Sequence, residues 1–104
     1  MGFPIVAEIW PIMQRETAEI LALSALEWLA GQDELLSVFQ GATGITANDL
    51  RSRAADGEVL AAVLDFLLLD DKWVTDFAIN SGQDPEAVYP ARQALPGGDL
   101  PHWT

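Results

Sequence analysis

Cysteine is absent from this chain of 104 residues, histidine occurs once, and only five residues are basic. Without cysteine there is no disulfide framework and no thiolate metal site, which suits a reducing compartment such as the cytoplasm. One histidine, His102, cannot build a His-rich zinc site, and no cysteine is present to help it. With five bases against sixteen acids the net charge is −11. Such a surface repels phosphate backbones and anionic membranes, so direct nucleic-acid binding and membrane attachment are not expected. It attracts basic partners, and it also keeps an apolar domain soluble. Long hydrophobic runs are missing too. The longest, Val59 to Leu69 (VLAAVLDFLLL), is too short and too closely flanked by acids to span a bilayer.

That run is where the chain concentrates its apolar character. Ten of its eleven residues are apolar, and Asp65 is the only interruption. At 3.6 residues per turn those side chains reach every face, which predicts a central helix rather than a surface one. The length allows one core and one domain. The expected fold is all-α: a compact bundle of about six short helices around Val59–Leu69, in two similar three-helix halves.

Residues 1–12, MGFPIVAEIWPI, hold two prolines and no base, so they lack the pattern of a secretory signal. They read as an N-terminal extended arm or as an over-long start before Met13. A single helical domain is expected over 13–96, with 97–104 as a C-terminal tail.

The first helix is predicted from about Arg15 to Ala30, with Ala18, Leu21, Ala22, Ala25, Trp28 and Leu29 on its core face. Gly31 ends it. A second helix, about Asp33 to Gln40, offers Leu35, Leu36 and Phe39 before GATG breaks the pattern. Thr46 and Asp49 form a T-x-x-D capping arrangement for a third helix, with Ile45 and Leu50 placed as a hydrophobic staple. That helix is expected to end near Ala55. A fifth spans about Asp71 to Ile79 with Trp73, Val74 and Phe77 inward. Asp84-Pro85 opens a sixth with an acidic N-cap and Pro at N1. Pro90 cannot donate within it, so a kink or restart is expected near Tyr89.

A shift of 38 residues aligns the chain with itself. Trp28 falls on Phe66, Leu29 on Leu67, Leu36 on Val74, Phe39 on Phe77, Gly44 on Gly82, Thr46 on Asp84 and Leu50 on Val88. The match is one of residue kind, and either a duplication or the shared punctuation of two helical hairpins explains it.

Few residues gather into reactive constellations. Phe39 to Ala54 resembles a helix-turn-helix carrying Arg51 and Arg53, yet Asp49, Asp56 and the overall charge oppose a DNA reader. Asp65 is the candidate buried acid, poised for proton transfer if it lies in a cleft. The favoured reading is a structural pair with Arg51, Arg53 or Arg92, or a place on the one strip of this helix that faces solvent. Asp70-Asp71 reads as a helix cap with a dipole partner, not a metal site. GATG lacks the lysine and spacing of a phosphate loop. No catalytic, cofactor or metal-ligating residue is therefore nominated, and enzyme activity is not expected.

The ends carry the candidate interaction residues: Phe3, Ile9 and Trp10 on the arm, and Leu100, His102 and Trp103 on the tail. Aromatic and apolar groups on irregular segments form contact sites when they are exposed.

TAEILALSALEWLA, FQGATGITANDLRSRAAD, VLDFLLLDD and ARQALPGG, taken in order, resemble a family of short bacterial proteins, domain of unknown function family 3572. The resemblance covers about Thr17 to the C-terminus. It implies a small helical bacterial protein and carries no activity, cofactor or site. Pro90 departs from the family's pattern. The reading reached is a small acidic non-catalytic protein-interaction module whose partner is another protein or a second copy of itself. Two other readings stay open: a regulator with an apolar small-molecule pocket, and an acidic nucleic-acid mimic that occupies a basic protein.

Overall fold

In the computed structural model residues 14–95 are described, and they contain six α-helices, one 3₁₀ turn and no strand. The helices are α1 (Arg15–Ala30), α2 (Asp33–Thr43), α3 (Ala47–Ser52), α4 (Gly57–Leu67), α5 (Asp71–Ser81) and α6 (Val88–Ala94), with the 3₁₀ turn at Pro85–Ala87. The all-α bundle expected from periodicity is the fold.

The two long apolar helices form its centre. α1 packs on α4 and α6 most extensively and also meets α5 and α2, while α4 meets α6, α2 and α5. α1 buries Ala18, Leu21, Ala22, Ala25, Leu26 and Leu29; the small residues among them let the neighbouring helices approach closely. α4 contributes Val59, Leu60, Ala61, Val63, Leu64, Phe66 and Leu67 to the same continuous core. Each large apolar side chain buried there contributes roughly 1.5–3 kcal/mol from removal from water. Phe39 of α2 and Phe77 of α5 are fully buried, and Phe39 meets Phe66 edge-on at 5.3 Å.

α4 is not apolar to every side, however. Glu58, Asp65 and Leu69 are exposed and Ala62 is half-buried. Their spacing of four, three and four residues puts them on one helical strip, and that strip meets solvent. The helix also begins and ends two residues earlier than the apolar run. Asp56 caps it by accepting the Glu58 main-chain N–H at 2.8 Å, so it starts at Gly57. Asp70 must be extended to cap α5, accepting from Lys72 N–H at 2.8 Å, so α4 stops and Leu69 is left 75% exposed.

Other boundaries follow local chemistry. Thr46 and Asp49 form the reciprocal capping box, with bonds of 3.0 and 3.1 Å. Leu50 is buried and Ile45 packs against the core. α3 ends at Ser52 rather than near Ala55, where Arg53 turns to pair with Asp56 at 2.9 Å. α2 continues through Gly41 to Thr43, three residues past the expected end, because only Gly44, at φ 79°, leaves the helical region. The restart expected near Tyr89 is present. The 3₁₀ turn ends at Ala87 and α6 restarts at Val88, so Pro90 lies in a first turn whose N–H groups have no intrahelical partner.

The 38-residue shift is legible in the structure. α2 and α5 are both eleven residues long, they begin 38 residues apart, and each ends on a left-handed glycine, Gly44 or Gly82 at φ 70°. The halves diverge after that. α6 buries Val88 and Ala91, and Leu95 behind it, against α1 and α4. The positions matching Ala91 and Leu95 are Arg53 and Gly57, which offer no apolar face, so α3 stays short and peripheral.

Candidate functional site

The six interaction candidates on the ends, Phe3, Ile9, Trp10, Leu100, His102 and Trp103, all lie outside the described residues. For Asp65, the candidate buried acid, the fold corrects the buried reading and bears out the pair with Arg92 and the place on a solvent-facing strip. Its side chain is 57% exposed on the solvent strip of α4, and its Oδ1 accepts from Arg92 Nε at 2.6 Å. Arg92 is the more enclosed partner, 16% exposed, so the pair ties α6 to α4 across 27 residues of sequence. That makes Asp65 a positioning contact for a helix, not a group in a cleft.

The helix-turn-helix segment divides its two arginines. Arg53 donates to Asp56 through Nη2 at 2.9 Å and Nε at 3.2 Å, whereas Arg51 is exposed. Two carboxyls here are held below the usual range. For Asp49 the main-chain N–H of Thr46 is the largest cause and the Thr46 hydroxyl the next. For Asp56 the Glu58 N–H comes first and Arg53 second. Arg53 is raised in turn, chiefly by its hydrogen bond to Asp56. The two carboxyl shifts arise chiefly from helix capping, and the Arg53 shift from its pair with Asp56. Among the described residues no group of three potential ligands could hold a metal ion. No described helix is long and apolar enough to cross a membrane.

One groove brings unlike chemistry together. It has a volume of about 540 Å³ and runs between the end of α1, the first two turns of α2 and the first two turns of α5. Trp28 and Trp73 line it, with Asp33, Glu34, Lys72 and Asp76. One face of Trp73 stacks on Phe66 at 4.6 Å and 19°. Trp28 meets Phe77 edge-on at 6.0 Å. Its indole Nε1 is shut away from water with no hydrogen-bond partner, an arrangement that costs roughly 1–3 kcal/mol. Lys72 Nζ lies 3.0 Å from Asp76. Asp33 and Glu34 are exposed at the start of α2 and have no ion-pair partner among the described residues.

The groove follows the internal repeat. Glu34, Leu35 and Val38 of α2 match Lys72, Trp73 and Asp76 of α5 under the 38-residue shift, and all six line it. α2 and α5 do not pack closely on each other, so the groove is the seam between equivalent helices. Apolar periodicity assigns Trp28 and Trp73 to the core. Both are half-buried and do pack on it, but each also walls the seam. Trp28 stands where the other half has the buried Phe66, a difference visible in the aligned sequence, though nothing there pairs it with Trp73.

The family of proteins of unknown function DUF3572 matches residues 15–98. The chain belongs to the DUF3572 family. The matched span takes in every helix among the described residues, so the groove and both left-handed glycines lie inside the DUF3572 region. No curated protein and no solved structure matches the chain.

Proposed function

We propose that this DUF3572 protein is a non-catalytic contact module of the cytoplasm that binds a basic protein partner. The observation that carries the reading is the layout of charge. Acids outnumber bases sixteen to five, and no charged side chain among the described residues is buried. The carboxylates therefore act outward, where they steer and retain a cationic surface. The continuous core leaves little for a buried apolar ligand, and the groove described above has charged walls, which favours a protein partner over an apolar small molecule. The absence of cysteine accords with a reducing compartment.

A pull-down with the full chain at low and high salt, read by mass spectrometry, tests this. Basic proteins retained at low salt and lost at high salt are the expected result, because interactions between exposed charges are screened beyond about 10 Å at 0.1 M salt. Partners that survive high salt with no excess of positive charge would transfer the role to the apolar ends. Recovery of the chain alone would make self-assembly the function.

A further inference from the structure

We propose that the seam between α2 and α5 is an arginine-binding groove, taking an Arg side chain presented on an exposed segment of a basic protein. The inference rests on the contact-module reading and adds the site and the chemistry of its guest. Three features converge on a cation. Trp73 is backed by Phe66 on one face, so its ring is held in place, and a tryptophan face is the strongest aromatic partner for a positive charge. Asp33 and Glu34 are carboxylates on the same groove with no ion-pair partner among the described residues. Asp76, a third carboxylate there, already holds a cation, the chain's own Lys72.

The positive end of α2 works against this field, because its first turn contains both Asp33 and Glu34. A helix N-terminus is equivalent to about half a positive charge, and two carboxylates exceed it. The groove stays net negative. Arginine fits better than lysine, since a planar guanidinium can lie on the indole face while its fork donates sideways to carboxylates. Lys72 shows what the ammonium alternative achieves here: one contact, to Asp76. The groove is open along the seam of two helices, which suits a segment of chain passing over it rather than an enclosed small molecule.

The test titrates the full-length protein with a short peptide of alternating Arg and Gly at low salt. Binding is read by the indole N–H resonances of Trp28 and Trp73 and by calorimetry. The expected result is a shift of the Trp73 resonance and a loss of affinity of about tenfold in D33N/E34Q. E16Q/E58Q removes the same charge from exposed positions off the groove and should leave affinity within about twofold. K72M should tighten binding by about threefold by releasing Asp76. R15M breaks the comparable Arg15–Glu19 pair on α1 and should not.

Equal weakening by D33N/E34Q and E16Q/E58Q would overturn the groove while leaving the contact-module reading standing, since the peptide would then be held by diffuse charge. Tetramethylammonium binding as tightly as the peptide would overturn the protein guest in favour of a small cation. A concentration-dependent dimer abolished by D33N/E34Q would make a second copy the occupant and overturn the proposal.

Discussion

The two halves of this domain start alike and finish differently. From the last turn of α1 through Gly44, and from the matching part of α4 through Gly82, they use the same sequence of devices: a buried Leu, an eleven-residue helix centred on a buried Phe, and a left-handed glycine. Beyond the glycines a side-chain cap follows in each half, Thr46 opening α3 directly and Asp84 opening the 3₁₀ turn that precedes α6. Only the second closing helix packs extensively on the centre, because Ala91 and Leu95 give it an apolar face where Arg53 and Gly57 give the first none. Punctuation sets where a helix stops. The apolar face decides whether it joins the core. The seam between the matched helices is then free to differ from one wall to the other, with Leu35 matched by Trp73 and Val38 by Asp76.

The strongest way to break this comparison is to empty the two equivalent core positions. Phe39→Ala and Phe77→Ala should each lower stability by about 3–5 kcal/mol, measured by urea unfolding, because both rings are fully buried. Values differing by more than about 2 kcal/mol would show that the halves share spacing but not structural weight.

The glycines come next. Gly44→Ala and Gly82→Ala should each cost about 1–2 kcal/mol, since both sit at positive φ, where a Cβ is strained even in open space. Gly41→Ala provides the contrast. That glycine lies inside α2 with nothing near the added methyl, so the substitution should stabilise by about 0.4–1 kcal/mol. Thermal melts followed by circular dichroism read all three.

Asp65→Asn sharpens the difference between the closing helices, since the pair from α6 to the centre joins distant residues while the Arg53–Asp56 pair at the end of α3 is local. The expected loss is under about 1 kcal/mol, because the carboxylate is largely in water. Hydrogen exchange should rise in α6 and remain unchanged in α3.

The smallest effect concerns pH. Asp49 and Asp56 titrate below their ordinary value of 3.8 in the folded chain, so their contribution is present above that value and is lost as pH falls through their folded values. Acid unfolding curves for D49N/D56N should therefore be flatter than those of the wild type below about pH 5. An identical slope would mean that neither cap is formed in solution.

Much of the fold is legible in residue order alone. The first helix has the expected bounds, Arg15–Ala30, because its apolar spacing is regular and Gly31 follows it. The capping box at Thr46 and Asp49 is local chemistry within four residues, and it forms as expected. Asp65 shows the opposite case. Its neighbours in sequence are nearly all apolar, which suggests burial. Its neighbours on the helix surface, Glu58, Ala62 and Leu69, share a strip that faces solvent. Which strip of a nearly uniform helix is left uncovered depends on where other helices pack, and residue order near Asp65 holds no record of that. The groove is hidden for the same reason, because Trp28 and Trp73 belong to different halves.

By itself the sequence determined the helices, their caps and the matched positions of the two halves, because those depend on hydrogen bonds and side-chain spacing within a few residues. Tertiary structure alone decided that α3 stays at the edge while α6 joins the core, that Asp65 meets Arg92, and that two tryptophans share a groove with Asp33 and Glu34. Those outcomes depend on which apolar faces bury one another most completely, and burial is a property of the whole chain at once.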